Sequence, residues 1–171
     1  MPQETIDIII LRGAPASGKS QTAKSLAKFF PKGVRLEVDT LRQMVISVDW
    51  KNQEEHIKML QVSTRLVFDF LKLGFSPVIV VDTFSGDKIN KYLENLYQLD
   101  KNLSIKIFGL YTTDDELRKR LDLRSNEEFQ DFGICKKLND DVLKIKYETE
   151  FQIETTGLLS TQTAEIIYGK L

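Results

Sequence analysis

The sequence predicts an α/β sandwich, a mostly parallel sheet with helices packed on both of its faces. Two observations carry that prediction. Short apolar runs alternate with helical patterns along the whole 171 residues, with no internal repeat or linker between them. The runs themselves, such as Val78-Ile79-Val80-Val81, are continuous and β-branched, which is how a strand covered on both faces reads. The length predicts one domain.

Ile6–Leu11 reads as the first strand, stopped by Gly13. After Gly18, the residues Ala23, Leu26, Ala27 and Phe30 recur at helical spacing, and Pro31 with Gly33 ends that helix. Val34–Asp39 is the second strand, followed by a short helix from Thr40 to about Val48. Asn52 caps a long helix in which Ile57, Leu60, Thr64, Val67 and Leu71 share a face, and Gly74 stops it. Pro77–Asp82 is the third strand. Asp87–Leu99 is helical, with Tyr92, Leu93, Leu96 and Tyr97 on one side. Leu103–Tyr111 is the fourth strand, and Thr113 with Glu116 forms a capping-box pattern that opens a helix through about Arg124. A helix from about Asp140 to Thr149, a last strand at Phe151–Thr155 and a closing helix at Thr161–Gly169 complete the reading.

Composition narrows the function classes. With 24 Lys and Arg against 25 Asp and Glu, the formal charge is −1, so no overall basic field draws the surface onto nucleic acid or an acidic membrane. A local basic site stays open. The single cysteine, Cys135, excludes an internal disulfide framework and a multi-Cys zinc site. The longest apolar runs, Ile8–Leu11 and Val78–Val81, are far too short to span a bilayer. The opening Met-Pro-Gln-Glu-Thr has neither a positive region nor a following signal-type apolar stretch, so the expected location is cytoplasmic.

The first strand runs into Gly13-Ala14-Pro15-Ala16-Ser17-Gly18-Lys19-Ser20, which fits the phosphate-loop pattern G-x-x-x-x-G-K-[ST] between a strand and a helix. Glycines let the backbone curl so that its N–H groups point at phosphate oxygens, and the helix N-terminus adds its positive dipole end. Lys19 is placed to reach the β- and γ-phosphates, the Ser20 hydroxyl to ligate Mg²⁺, and Gln21 follows in the first turn of the helix.

A phosphate loop says nucleotide, not reaction. Asp39 ends the second strand and Arg42 follows it by three residues. Ligands of parallel sheets bind beyond the carboxyl ends of the strands, so Asp39 is placed to take the proton of an attacking hydroxyl and Arg42 to hold an anionic acceptor. The same residues also fit a helix cap and a surface ion pair. Asp82 ends the third strand before Thr83, the position of an acid near Mg²⁺, often through water, or of an Asp that starts a loop. Arg120 and Arg124 share a helix face near Arg118 and Lys119. They fit a clamp on transferring phosphoryl oxygens or a solvated helix, since Asp114, Asp115, Glu116 and Asp122 lie among them. His56 reads as a surface residue. Cys135 has no motif around it, and Trp50, Phe129 and Phe132 fit base stacking or packing equally.

Taken in order, Arg12 to Ser20, Asp39-x-x-Arg42-Gln43, Val81-Asp82-Thr83 and Lys119-Arg120-x-x-x-Arg124 resemble the phage-type polynucleotide 5′-hydroxyl kinase domain. That domain belongs to a wider set of P-loop kinases that includes zeta-toxin-like and antibiotic-modifying phosphotransferases. The resemblance runs from the first strand to about Tyr147. It implies a three-layer P-loop fold around a five-stranded parallel sheet, with ATP and Mg²⁺ as cofactors. It implies Lys19 and Ser20 on the phosphates and metal, Asp39 as general base, and Arg42, Asp82 and Thr83 on the acceptor side. Arg124, with Arg120, would clamp the donor phosphates from a lid at about 120–137. The chain departs from that family in having no room for a phosphatase domain. It departs again in the acidic Glu127, Glu128 and Asp131 beside the lid, where a polynucleotide would prefer basic groups. The expected activity is therefore transfer of the γ-phosphoryl of ATP to an acceptor hydroxyl. By the resemblance the expected acceptor is of the polynucleotide type, a nucleic-acid 5′-end, with a nucleoside or another small molecule as the alternative. An NTPase switch without an acceptor, or a pure binding module, is the alternative.

Overall fold

In the computed structural model, which describes residues 5–144, 147 and 149–171, the apolar runs pair into one sheet. The strands are β1 (Ile8–Gly13), β2 (Val34–Glu37), β3 (Val78–Asp82), β4 (Ile105–Tyr111) and β5 (Glu150–Glu154). Their order across the sheet is β2-β3-β1-β4-β5, and every pairing is parallel. The helices are α1 (Lys19–Ala27), α2 (Val38–Gln43), α3 (Gln53–Lys72), α4 (Lys88–Leu99), α5 (Asp114–Asp122), α6 (Phe132–Lys144) and α7 (Ser160–Tyr168).

β1 and β3 are buried at every position, as strands that carry helices on both faces must be. Ile8 and Ile10 point to one side, where Val78 and Val80 join Leu60 and Val67 of α3 and Ile89, Tyr92 and Leu96 of α4. Ile9 and Leu11 point to the other, against Ala23 and Leu26 of α1 and Ala164 and Ile167 of α7. Two apolar layers thus clamp one sheet, and the expected three-layer sandwich is the fold. Among the described residues no helix is long and apolar enough to cross a membrane.

Several boundaries differ from the sequence reading, each for a physical reason. β2 stops at Glu37 and α2 starts at Val38, so Asp39 sits in the first turn of a helix, where its charge suits the dipole, and not at a strand end. α2 also ends early, at Gln43, because Arg42 donates to the Asp49 carbonyl at 3.1 Å and folds the following loop back over the helix. On α3 the buried face is shifted: Ile57 is exposed and His56 is buried instead. On α4 Ile89 is buried and Tyr97 is exposed.

Asn52 caps α3 as expected, accepting from the Glu55 N–H at 3.1 Å. The capping box before α5 is only half formed. Thr113 Oγ1 accepts from the Glu116 N–H, but the Glu116 carboxylate takes Arg120 Nε at 2.9 Å. The largest correction is α6, which begins at Phe132 and not near Asp140. Asp131 Oδ1 accepts from the Ile134 N–H at its start, and Cys135, Asn139 and Val142 supply the buried stripe. The expected continuation to Thr149 passes through residues 145, 146 and 148, and the N-terminal reading rests on residues 1–4. Both lie outside the described residues.

One buried ion pair ties the sheet together across β4. Arg12 of β1 donates through Nε to Glu150 Oε1 of β5 at 2.9 Å and through its terminal nitrogen to the Val142 carbonyl at 3.3 Å. The Tyr147 ring lies 5.2 Å from the guanidinium. The pair passes over Gly109, where a Cβ would collide with the Glu150 carboxylate and stand 2.9 Å from Val142 Cγ1. Gly109→Ala therefore separates a buried pair, a change that costs on the order of 3 kcal/mol. Urea unfolding should show that loss as a lower midpoint with an unchanged slope.

Candidate active site

The chain leaves β1 at Gly13, in mid-sheet between β3 and β4, the switch point where parallel sheets bind ligands. The loop then folds tightly over the strand end. A Cβ on Gly13 would stand 2.5 Å from Ser17 Oγ and 2.6 Å from the Leu110 carbonyl, so residue 13 has to be glycine. The curl uses left-handed backbone at Ala16 (φ 65°) and Gly18 (φ 94°). It is closed by the Ser17 N–H donating to the Ala14 carbonyl at 3.1 Å. α1 starts directly at Lys19, which leaves its first-turn N–H groups directed at the loop's mouth.

Lys19 Nζ donates to the Ala14 carbonyl at 3.2 Å. Burial pushes its ammonium below the ordinary lysine value, while Asp39 and Asp82 pull it back up. Asp39 is exposed at its surface, yet the partial loss of water around its carboxyl pushes that group up. The neighbouring Asp82 adds to that rise, and Lys19, Arg42 and His56 oppose it. Lys19, Asp39 and Asp82 therefore share one electrostatic neighbourhood.

A cavity of about 620 Å³ opens beside the loop, lined by Gly18, Lys19, Ser20, Arg120, Arg124 and Thr155 among others. That volume suits a nucleotide-sized ligand. Ala16 and the exposed Gln21 also line it, whereas Gly13 and Ala14 are buried beneath the loop and the half-buried Pro15 is not part of the lining. The two candidate arginines differ. Arg120 donates to the Thr155 carbonyl at 2.7 Å, to Thr155 Oγ1 at 3.0 Å and to the Ser17 carbonyl at 3.3 Å. It acts as a buckle between the phosphate-type loop and the end of β5. Arg124 instead donates to the Phe129 carbonyl at 2.9 Å and pairs loosely with Glu128 at 3.4 Å.

On the other side of Lys19, Arg42 is buried, with its guanidinium 4.7 Å from the Trp50 ring centre. Its Nε has no hydrogen-bond partner among the described residues. Trp50 is thus a cover for Arg42, and Phe132 plays the same part for Arg118, whose guanidinium lies 3.7 Å from its ring centre. Asp82 is 4% exposed and stands opposite Arg12 in the β1–β3 register. Thr83 beside it is half-buried.

His56 overturns its expected surface position. It is buried, with Nε2 2.9 Å from Asp82 Oδ1 and Nδ1 2.9 Å from Lys88 Nζ. A lone histidine in a polar stretch carries no local signal of this, because three separate elements converge to make the site. Thr155 was likewise invisible in the sequence.

Among the described residues no group of three or more His, Cys, Asp or Glu could hold a metal ion by itself. The donors present, the Ser20 hydroxyl with the Asp39 and Asp82 carboxylates, fit Mg²⁺ of the kind that arrives with phosphate and keeps several waters.

Comparison with known proteins agrees with this architecture. The sequence profile of the AAA domain family matches residues 8–140. No curated protein matches the sequence. The tunicamycin resistance protein of Deinococcus radiodurans has the same fold, with a TM-score of 0.67, 23% identity and coverage of 96% of this chain and 95% of that one. A sugar kinase from Janibacter sp. superposes with a TM-score of 0.68 at 15% identity, covering 96% of this chain and 93% of that one. A chain of the Pnkp1/Rnl/Hen1 RNA repair complex gives 0.67 at 21% identity, over 86% of this chain but 48% of its own length.

Because the Asp39 carboxyl is raised above its ordinary value near 3.8, its charge opposes folding at neutral pH. Asp39→Asn should raise the melting temperature at pH 7. That gain should shrink as pH falls through the folded-state value and vanish below the unfolded one, where wild type is itself neutral. Thermal melts of the two proteins across pH 3–7 make the comparison. A lower melting temperature for Asp39→Asn at pH 7 would mean that the nearby cations outweigh the loss of water.

Proposed function

The chain belongs to the AAA domain family, and from that premise we propose that it is an ATP-dependent kinase acting on the hydroxyl of a small acceptor. What supports the reading is that the carboxylates of Asp39 and Asp82 both act electrostatically on the Lys19 ammonium of the phosphate-type loop. A nucleotide switch needs the loop, but it has no use for a carboxylate base facing the loop's lysine.

In this reading the backbone N–H groups of residues 16 and 18–20 and the Lys19 ammonium hold the β- and γ-phosphates of ATP. Mg²⁺ is held by Ser20 and, through water, by Asp82. When bound it neutralises charge on those phosphates. Asp39 accepts the acceptor's hydroxyl proton as the oxygen bonds to the γ-phosphorus. The bond from that phosphorus to the β-phosphate oxygen breaks, and ADP leaves. A carboxyl pushed upward is a better base for that task than an ordinary aspartate. Arg42, with Thr83, lies on the acceptor side. Arg124 meets the charge that spreads over the transferring oxygens, while Arg120 keeps the loop in shape beside the donor. The whole chain works as one domain, with residues 120–137 as the lid that closes over ATP and excludes water.

The acceptor is best read as a small molecule and not a polynucleotide end. Glu127, Glu128 and Asp131 stand where a nucleic-acid backbone would meet cations. The likeness to a sugar kinase and to a tunicamycin resistance protein extends over nearly the whole of each chain, whereas it covers about half of the RNA-repair chain. A cytoplasmic location, with ATP at hand and Cys135 buried and unpaired, fits the same reading.

The test is γ-labelled ATP and Mg²⁺ with a pool of sugars, nucleosides and other hydroxylated metabolites, with 5′-hydroxyl oligonucleotides, and with no acceptor. Label should appear on a small molecule. Lys19→Ala should abolish it, and Asp39→Asn should slow it by about 10²–10⁴-fold with ATP binding retained. Label released only as phosphate, at a rate that Asp39→Asn leaves unchanged, would assign an NTPase instead. Label on the oligonucleotide would restore the polynucleotide acceptor.

A further inference from the structure

Behind Asp82 stands a chain of polar groups, running from the buried His56 to the half-buried Lys88, to which the reaction described above gives no part. His56 lies in the first turn of α3, Lys88 opens α4, and Asp82 closes β3. His56 Nε2 is 2.9 Å from Asp82 Oδ1, and His56 Nδ1 is 2.9 Å from Lys88 Nζ. Lys88 Nζ also donates to Gln53 Oε1 at 2.6 Å and to Ser85 Oγ at 3.3 Å.

The hydrogen-bond chemistry fixes the direction of this chain. An ammonium has only donors, so Nδ1 must accept from it. The ring proton then sits on Nε2 and is donated to Asp82 Oδ1. The other carboxylate oxygen, Oδ2, accepts from the Phe84 N–H at 2.8 Å. Phe84 reaches that position with a φ of 49°, a region that bulky side chains avoid. Its ring is fully buried against Tyr92, 5.1 Å between centroids, and this packing holds the strained turn in place.

Both oxygens of Asp82 are therefore anchored, one by His56 of α3 and the other by the Phe84 N–H just past β3, and only 4% of the residue is exposed. Such an arrangement costs desolvation at every member, and an apolar residue at 56 would fill the same helix face without that cost. Lys88 is also coupled to the cleft, since burial lowers its ammonium, Asp82 raises it and Arg42 lowers it again. We infer that His56 and Lys88 are positioning residues, a relay that locks the Asp82 carboxylate in the orientation that phosphoryl transfer requires. The functional half of this inference rests on the kinase reading given above.

Two measurements test it. The chain has one histidine, so long-range ¹H–¹⁵N correlation on histidine-labelled protein reads His56 without ambiguity. The expected pattern is a neutral ring protonated at Nε2, and Lys88→Met should perturb it. A ring protonated at Nδ1 overturns the relay. In the transfer assay His56→Ala should lower kcat by about 10–100-fold with KM for ATP unchanged. His56→Gln, whose amide nitrogen reaches where Nε2 sits, should recover part of that loss. Lys88→Met supplies the same kcat comparison should His56→Ala fail to fold. An unchanged kcat in His56→Ala, or equal losses in the Ala and Gln variants that follow their melting temperatures, overturns the positioning role alone. A wild type that labels no acceptor overturns the kinase reading and this role together.

Discussion

A Cβ on Gly13 would stand 2.5 Å from Ser17 Oγ and 2.6 Å from the Leu110 carbonyl, so the loop leaving the central strand exists only because residue 13 has no side chain. Everything at the C-terminal edge of the sheet follows from that close approach. It lets the chain curl through Ala16 and Gly18 and start α1 at Lys19. The loop is also gripped from above, where Arg120 joins the Ala16 and Ser17 carbonyls to Thr155. The phosphate-type loop is thus held on two sides by groups that need not touch a ligand. Preorganisation of that kind is what makes an anion site out of backbone amides.

The sheet order does the rest. Because β1 lies between β3 and β4, Asp82 at the end of β3 stands opposite Arg12, one residue before the loop begins. The two buried polar clusters on either side of β1 then divide the work. Arg12, Glu150, Tyr147 and the Val142 carbonyl secure the β5 side. Asp82, His56 and Lys88 secure the β3 side. The first cluster ties β1 to β5, and the second ties the end of β3 to α3 and α4. Burying these charges is tolerable because they are paired or hydrogen-bonded, Arg12 with Glu150 and Asp82 with His56 and the Phe84 N–H.

What was legible in the sequence was what is local. The apolar runs became the strands, Gly13–Ser20 became the loop, and Asn52 became a cap, since each is decided within a few residues. Asp82 ends its strand as the sequence suggests, whereas α2 begins early enough to take Asp39 into its first turn and Arg42 into its last. Contacts made by topology were not legible. His56 reads as a surface residue until β3 and α4 are laid beside it. Arg120 reads as half of a clamp until Thr155, 35 positions away, accepts two of its hydrogen bonds. The early start of α6 was missed because its buried stripe, Cys135, Asn139 and Val142, contains one weakly apolar and one polar residue. The sheet order has no signature in any single segment.

The central claim is that one cleft brings the end of a triphosphate to Asp39. A crystal structure with Mg²⁺ and a non-hydrolysable ATP analogue tests it most directly. The account predicts β- and γ-phosphates against the N–H groups of residues 16 and 18–20 and the Lys19 ammonium, with the γ-phosphorus facing Asp39 and Asp82. A triphosphate bound away from the loop, or one whose γ-phosphate points away from Asp39, would contradict it.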